Sequence, residues 1–324
     1  FHVVVHMLKI IMEEKMEQKL EKLEDIARRS GIIASCSLGN VFLSDQQEKD
    51  YFEKKKVPAC FAEFMVDGYS KALDLIDQVY KFQPFDRSFI CSLHYTMYKD
   101  YNPELGGTFK DTQNYIQEIM PDGSYRTIFV PAAPEEVGVL LDNLIYQFNM
   151  CAQDEEVNKL LLICCFMLDF MCIHPFSHGN GRLSRLILHF LLKKFGYDID
   201  EYFSVSYIIK QQIGTYIDSF EAAADKWYDN ENDYTAYIQF VLKAVLESYR
   251  RLDYILEISD MEGTADDKIL KIVLDSATPI SKSVVQNVLY ASSSATIEKG
   301  LAKLQKEGRI QLITKGRYSK YFRV

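Results

Sequence analysis

Apolar side chains recur three and four positions apart over long stretches of this 324-residue chain, and that is the period of an amphipathic α-helix. The spacing runs from about Ser44 to Tyr98 and, with breaks, from Glu135 to about Ile258. Glycine and proline, which interrupt helices, are scarce at 15 and 8 residues. The pattern therefore predicts a mainly α-helical bundle with only a few short strands.

Two segments depart from this pattern. Acidic and basic residues alternate at helical spacing from about Met12 to Arg29, which is typical of a solvated helical arm, and Ser30-Gly31 is expected to end it. Between Gly106 and Pro134, β-branched and aromatic residues flank an Asp122-Gly123 turn. This second arrangement predicts a β-hairpin over residues 112–130.

The charge of the chain is unevenly distributed. Residues 265–324 hold eleven Lys or Arg against five Asp or Glu, a net charge of +6, and because the whole chain carries −9 the rest carries −15. Three helical patterns and a strand pattern with a turn at Lys315-Gly316 make this tail similar to a winged helix. We therefore expect a helical arm and upstream segment at 1–43, a large helical domain at 44–259 and a winged-helix domain at 265–324.

Cysteine usage and hydropathy bear on the compartment. The seven cysteines include no C-x-x-C pair and are odd in number, which argues against a zinc site and against a disulfide framework. The apolar run from Leu160 to Phe176 is interrupted by Asp169 and is short for a membrane span. We expect a buried helix there, a cytoplasmic protein and no membrane partner.

Candidate chemistry is concentrated between residues 174 and 185. His174 follows the apolar run and Pro175 cannot continue a helix, so the imidazole should stand at a helix end facing a cleft. Gly179, Asn180 and Gly181 then open a new helix, where free N–H groups and the positive end of the helix dipole form an anion site. Phosphate is the anion that such a site favours.

Two arginines extend this anion site. Arg182 and Arg185 are three residues apart and share one helix face, while the residues placed for burial are Leu183, Leu186, Ile187 and Phe190. A base, an amide cradle and two arginines together suit phosphoryl-type transfer. The alternative is a core histidine followed by a plain glycine turn, which nine residues in this order disfavour.

These residues carry a family resemblance. The chain resembles the Fic-domain signature, H-P-F-x-[D/E]-G-N-G-R-x-x-R, at His174, Pro175, Phe176, Gly179, Asn180, Gly181, Arg182 and Arg185. The resemblance implies a Fic-type helical bundle that binds ATP with Mg²⁺ and modifies protein hydroxyls, usually by AMP transfer. It also implies that His174 takes the proton from the target hydroxyl, and that pyrophosphate leaves.

The resemblance also assigns the phosphate contacts. Asn180 and the backbone amides of Gly179 and Gly181 would hold the phosphates, Arg182 would lie on the leaving phosphates and Arg185 would reach the γ-phosphate. Gly181 favours nucleotide transfer, because a lysine there characterises the phosphorylating branch that resembles Doc. Fic relatives also transfer UMP or phosphocholine, so the transferred group stays open.

The chain departs from the signature at His178, which stands where the family has an acidic Mg²⁺ ligand. Because Mg²⁺ prefers hard oxygen ligands, an imidazole should weaken its hold or favour another divalent ion. The alternative is that His178 is a spacer that binds no metal.

A second departure lies upstream, where residues 35–40 resemble the inhibitory motif [S/T]-x-x-x-E-[G/N] of class II relatives. Ser35 and Asn40 match this motif, and Gly39 replaces its Glu. In the relatives the Glu pairs with the second arginine, here Arg185, so the resemblance implies an arginine that is free for ATP and a derepressed enzyme. The alternative is a chance match.

Three further expectations concern partners. The hairpin resembles the flap by which relatives align a target segment through strand addition, and Tyr216 is a candidate for the adenine pocket. The target would be a Ser, Thr or Tyr hydroxyl of another protein or of the chain itself. The competing function is a regulator whose tail, with Lys299, Lys303 and Lys306 on one helix face, contacts DNA or a protein.

Overall fold

A computed structural model describes residues 2–120, 122–314 and 319–324, with side-chain surroundings from residue 17 onward. These ranges contain fourteen α-helices and five short strands, so the prediction of a mainly α fold is confirmed. Contacts divide the chain into two compact units, Ala27–Ser248 and Phe1–Ile26 with Tyr249–Val324. The three predicted domain segments stay predictions.

Elements up to residue 260 are mostly helices. In chain order they are α1 (His2–Leu38), α2 (Asp45–Phe52), α3 (Phe61–Val79), α4 (Arg87–Tyr98), β1 (Ile116–Ile119), β2 (Tyr125–Phe129), α5 (Val137–Gln153), α6 (Lys159–Ile173), α7 (Asn180–Lys194), α8 (Ile199–Tyr202), α9 (Val205–Gln211), α10 (Ile213–Ala224) and α11 (Thr235–Asp260). Among the helical residues that the structure describes, no stretch has both the length and the hydropathy needed to cross a membrane.

The core of the larger unit is built around α6 and α7. Nine of the fifteen residues of α6 and twelve of the fifteen of α7 are buried, and α7 packs against α3, α4 and α6. Phe190 of α7 joins an aromatic cluster in which its ring lies 4.6 Å from that of Phe89. A helix buried on nearly every side is a core helix, so whatever α7 carries at its N-terminus is held rigidly.

The predicted end of α1 at Ser30-Gly31 is wrong, because the helix continues to Leu38. Gly31 serves close packing rather than termination: a Cβ there would lie 2.8 Å from the Ser204 hydroxyl. Beyond the end of the helix at Leu38, the left-handed backbone of Asn40 (φ 58°) turns the chain. Its N–H donates to the carbonyl of residue 37 and the next N–H to that of residue 36, which is the Schellman pattern.

The predicted hairpin is confirmed. Strands β1 and β2 pair antiparallel with Ile119 opposite Tyr125, and Gly123 takes the left-handed conformation (φ 82°) that the turn requires. Arg126 of β2 bonds Glu118 of β1 and, through Nη1 at 2.7 Å, Glu221 of α10. The hairpin is therefore tied to the helical body.

The second unit contains the tail. Its elements are α12 (Ala265–Asp275), β3 (Ile280–Ser281), α13 (Lys282–Val288), α14 (Ser294–Lys306), β4 (Ile310–Thr314) and β5 (Lys320–Arg323), with the three strands in the order β3-β5-β4. Ile269, Ile297 and Leu301 belong to its buried core. The predicted turn at Lys315-Gly316 lies outside the described residues, and the winged-helix assignment stays a prediction.

Candidate active site

His174 lies at the end of α6, as the sequence predicts. Its backbone is left-handed (φ 50°, ψ 63°) and its N–H donates to the Phe170 carbonyl over 2.9 Å. Histidine tolerates this conformation better than most residues, and Pro175 then prevents the helix from continuing. The imidazole is thereby fixed at the junction of α6 and the loop formed by residues 174–179, which we call the base loop.

The His174 imidazole is uncharged at neutral pH, and one of its ring nitrogens has no hydrogen-bond partner among the described residues. Its Nδ1 atom is buried and has no hydrogen-bond partner among the described residues. Burial lowers the pKa of His174 to about 3, and the charge of Lys110 acts in the same direction. Because this pKa lies far below neutral pH, the ring is uncharged there and is in the protonation state of a base.

Asn180 fastens the base loop from the side of α7. Its Oδ1 accepts from the Phe176 N–H at 2.9 Å and its Nδ2 donates to the Phe176 carbonyl at 2.6 Å. The side chain is only 2% exposed. The structure thus uses the Asn180 amide to shape the loop, while its predicted phosphate contact stays a prediction.

His94 of α4 holds the same loop from another side, and sequence reasoning missed it. Its Nδ1 accepts from the Gly107 N–H at 3.0 Å, so the ring proton lies on Nε2 and is donated to the His178 carbonyl at 2.9 Å. Its ring stacks on Phe176 with centroids 3.9 Å apart. Burial lowers the pKa of His94 to about 4, which keeps the ring neutral at pH 7, and the two hydrogen bonds select this tautomer. Nothing in its local sequence signals the contact.

Residues just before the hairpin hold the loop from a third side. The Lys110 N–H donates to the Pro175 carbonyl at 2.9 Å, and Asn114 Nδ2 donates to the Phe176 carbonyl at 2.9 Å. The Lys110 ammonium group donates to Asn114 Oδ1 at 2.9 Å and to the Ile173 carbonyl at 3.3 Å. The contacts of Lys110 and Asn114 with residues 173–176 could not be read from the sequence, because more than 60 residues separate the partners.

The N-terminus of α7 requires its glycine. Gly179 is left-handed (φ 81°), and a Cβ there would lie 2.8 Å from the Tyr98 hydroxyl. At Gly181 a Cβ would make ordinary contact with the Arg185 guanidinium at 3.5 Å. Because helix geometry leaves the first N–H groups of α7 without acceptors inside the helix, the predicted amide cradle is available next to the base loop.

Arg182 is buried, and part of its guanidinium group is unpaired. It is 6% exposed, its Nη2 donates to the Tyr98 hydroxyl at 2.7 Å, and its guanidinium lies 5.4 Å from the Tyr98 ring centre. Its Nη1 is buried and has no partner among the described residues. An unpaired buried donor costs about 1–3 kcal/mol, a cost that an incoming anion would remove.

Arg185 is bonded to the upstream motif in this structure, and its predicted γ-phosphate contact stays a prediction. Its Nε donates to the Ser35 hydroxyl at 2.7 Å and its Nη2 to the Ser35 carbonyl at 2.8 Å. That carbonyl is available because the Gly39 N–H, its regular helical donor, turns to Cys36 instead. Arg185 is also only 6% exposed, since α7 is surrounded by other helices, so neither arginine lines an open cleft.

Gly39 faces Arg182 rather than Arg185. A Cβ at Gly39 would lie 3.7 Å from Arg182 Nε and 3.4 Å from the Cys36 carbonyl, both ordinary contact distances. The upstream motif therefore does meet the two arginines of α7, through Ser35 for one and through position 39 for the other.

The remaining candidates are less closely integrated. The His178 side chain is exposed, and no three His, Cys, Asp or Glu side chains in the described part of the chain are grouped to hold a metal ion. The donor set therefore does not fit a protein-held Mg²⁺. The Tyr216 ring packs 5.5 Å from Phe240 and 6.0 Å from Tyr237, and its predicted adenine contact stays a prediction.

Comparison with known proteins agrees with this geometry. Residues 84–192 match the Fic/DOC family model, a range that contains α4, the hairpin, the base loop and α7 as far as Leu192. This chain therefore carries a Fic domain.

Among curated relatives, the chain is 28% identical over 152 residues to the protein adenylyltransferase Fic of Drosophila grimshawi, a match that covers 47% of this chain and 27% of that protein. The chain spans about a quarter of the length of the curated adenylyltransferases it matches.

Two solved structures share the fold. A Fic family protein from Desulfovibrio desulfuricans aligns with a TM-score of 0.59 at 17% identity, over 99% of this chain and 94% of that one. A Fic-domain signaling protein from Bacteroides thetaiotaomicron aligns with a TM-score of 0.60 at 19% identity, over 73% and 89%.

Proposed function

We propose that this chain is a protein adenylyltransferase, which moves the AMP part of ATP onto a Ser, Thr or Tyr hydroxyl of a protein. The observation that carries the proposal is a neutral His174 at the start of the loop that leads into α7. Among the described residues, its Nδ1 and Nη1 of Arg182 on α7 both have no partner. The name of the curated relatives, protein adenylyltransferase Fic, supports the choice of AMP.

The chemical step uses the imidazole as the base. The target hydroxyl oxygen attacks the α-phosphorus of ATP while its proton passes to His174. The bond between the α-phosphorus and the oxygen that bridges to the β-phosphate breaks, and its electron pair leaves with pyrophosphate. A neutral ring is required for this role, and burial supplies it.

Stabilisation of the charged phosphates falls to the start of α7. The backbone amides around Gly179 and Gly181 point from a helix N-terminus, which favours anions, and Arg182 Nη1 would bond the leaving phosphates. Arg185 would reach the γ-phosphate by exchanging Ser35 for ATP. The main role of Asn180 is to hold the base loop through Phe176, and a direct contact with the phosphates would be an additional role.

A metal ion has no assigned step in this proposal. His178 replaces the acidic ligand, and the described residues supply no metal cluster. Mg²⁺ would therefore be carried mainly by the ATP oxygens and water, a mode that this ion tolerates.

The brake of class II relatives is proposed to be missing. Gly39 has no carboxylate to occupy the space beside Arg182, so no side chain from α1 competes with phosphate there. The hairpin is proposed to align the target by strand addition, with the chain itself as one candidate target, and Tyr216 is proposed to border the adenine.

The decisive test uses ATP radiolabelled at either the α- or the γ-phosphate, with UTP as the other nucleotide. We expect label to reach protein from α-labelled ATP and not from γ-labelled ATP. Transfer of γ-label would indicate a kinase, and preference for UTP would change the cargo. His174→Ala should abolish each of these signals if they arise from the base loop.

A second candidate function is DNA binding through the tail. Lys299 and Lys306 of α14 are exposed in a segment of net charge +6. Lys303, however, pairs with Asp266 at 2.6 Å, which weakens the face that the sequence predicts. Binding to duplex DNA that falls steeply with salt would support this function, and no binding at low salt would remove it.

A further inference from the structure

Lys110 is a buried lysine that the proposed reaction leaves unused. Its side chain is 3% exposed, and its ammonium group is held by two neutral acceptors, Asn114 Oδ1 at 2.9 Å and the Ile173 carbonyl at 3.3 Å. Lysine is almost never buried without a counter-charge, because desolvation of the ammonium group is costly. Because burial of the ammonium group costs free energy, packing alone does not explain a lysine at this position.

The position of Lys110 is defined by the base loop. Its ammonium group bonds the last carbonyl of α6, directly before His174, and its N–H bonds the Pro175 carbonyl directly after it. Asn114, which fixes the ammonium group, also bonds the Phe176 carbonyl. One lysine thus holds the backbone on both sides of the proposed base.

Lys110 also has an electrostatic effect on the base. It is the charged group that acts on His174, and it lowers the pKa of the imidazole in addition to burial. No opposing carboxylate contributes at His174. Burial lowers the pKa of Lys110 itself to about 8, so the ammonium group is mostly charged at neutral pH.

We propose that Lys110 is a positioning residue for the reaction proposed above: its ammonium group and its backbone N–H hold the backbone on both sides of His174 and so fix the imidazole where it accepts the proton. This role rests on the proposed function and adds a residue outside the signature. Loss of the charge makes His174 easier to protonate, and loss of the ammonium group's bond lets the imidazole move.

The test compares Lys110→Met, which keeps the length without charge, with Lys110→Gln and Lys110→Arg. Lys243→Met, which removes an exposed lysine of α11, is the matched control. For Lys110→Met we expect kcat for transfer of α-labelled AMP to fall about 100-fold, as a displaced base would cause, while KM for ATP stays within about 2-fold. Lys110→Arg should recover most of the loss, because it restores the charge.

A second readout needs no activity. NMR of isotope-labelled histidine, with His174→Ala to assign the resonance, follows the titration of the ring directly. We expect the His174 titration and the acid limb of the pH–rate profile to move to higher pH by about one unit in Lys110→Met and in Lys110→Gln. A merely structural lysine would change the melting temperature without moving either.

The outcomes separate the two proposals. If a folded Lys110→Met or Lys110→Gln shows the wild-type His174 titration and kcat, the role of Lys110 is wrong. If wild-type protein never transfers the α-label but the titration still shifts, the function is wrong and the electrostatic coupling stands. Should Lys110→Met fail to fold, Lys110→Gln, which keeps a polar donor for the Ile173 carbonyl, carries both measurements.

Discussion

The ionisable groups near the two ends of α7 have different partners. At the N-terminal end, His174 Nδ1 and Arg182 Nη1 are buried without partners. At the C-terminal end, His189 Nδ1 bonds Asp200 at 2.8 Å and Lys193 bonds Asp77 at 2.7 Å. His189 Nε2 also has no hydrogen-bond partner among the described residues, but the Asp77 carboxylate lies 3.7 Å from it. The difference between the ends is therefore in their carboxylates: none of those described forms an ion pair with His174 or Arg182, which we call the open end, whereas Asp77 and Asp200 pair with His189 and Lys193, which we call the paired end.

The two histidines record this difference in their protonation. His174 meets no carboxylate, so burial lowers its pKa. Burial acts in the same direction on His189, but its interactions with Asp200 and Asp77 outweigh it and raise the pKa to about 9. At neutral pH the His174 ring is therefore uncharged and the His189 ring is a cation beside two carboxylates, although burial acts in the same direction on both.

The largest effect is expected from a substitution of His174 at the open end. His174→Ala should reduce AMP transfer by about 100- to 10,000-fold, the usual contribution of a general base, and should leave the melting temperature nearly unchanged. The matched control is His189→Gln, which should lose stability and keep its chemistry below its melting temperature. Persistent labelling by His174→Ala would show that the base is another residue.

The next prediction closes the open end with a carboxylate. Gly39 has an ordinary backbone conformation, and a Cβ there contacts Arg182 at 3.7 Å, so Gly39→Glu should pair with that guanidinium. We expect transfer to fall about 10- to 100-fold, which corresponds to a charge-assisted hydrogen bond of about 1.5–3 kcal/mol. Gly39→Gln, equal in size and uncharged, is the control, and an equal loss in both variants would mean that bulk and not charge inhibits.

The third prediction tests the paired end by pH. Because the folded pKa of His189 is raised to about 9 from an ordinary 6.5, its stabilisation is fully present below about pH 6.5 and is lost as pH rises through about 9. The stability advantage of wild type over His189→Gln should be about 3 kcal/mol at its largest, near pH 6, and should shrink towards pH 10 in urea titrations.

His94 should show the reverse dependence. Its folded pKa is lowered to about 4, so its contribution is present above about pH 6.5 and is lost as pH falls through about 4. The same profile for His94 and His189 variants would contradict the assignment of their charge states.

The smallest expected effect concerns Arg185, which lies at the open end but is held like a scaffold residue. Ser35→Ala removes the acceptor of its Nε and should cost about 1–2 kcal/mol of unfolding free energy, as an unpaired buried donor does. Ser37→Ala is the matched control, because that hydroxyl bonds only Ala34 of its own helix, at 2.9 Å. Equal losses would mean that Arg185 gains nothing from Ser35.

The sequence predicted the parts of this site that are local. The position of His174 at a helix end, the N-terminus of α7 at residues 179–181 and the hairpin all follow from spacing, turn residues and proline. The end of α1 was misplaced, because Gly31 looks like a stop until Ser204, 173 positions later in the chain, is seen against it.

What could not be predicted depends on contacts distant in sequence. His94, Lys110 and Asn114 hold the base loop and the end of α6 from 62 to 84 residues away, and a lone histidine or lysine carries no local sign of such a role. The bonds of Arg185 with Ser35 could not be predicted either, because the Ser35 carbonyl is available only where the Gly39 N–H is directed to Cys36.

The end of α1 has a consequence for how the activity of such a chain can change over time. The left-handed conformation of this turn is taken by Asn40 and not by Gly39. Position 39 can therefore hold other side chains without a change in the backbone. Whatever side chain occupies that place is delivered to the same guanidinium. A series of variants at position 39, from Ala through Ser and Gln to Asp and Glu, should lower the rate of the enzyme in steps. A change in one codon would therefore be enough to alter the activity in an organism.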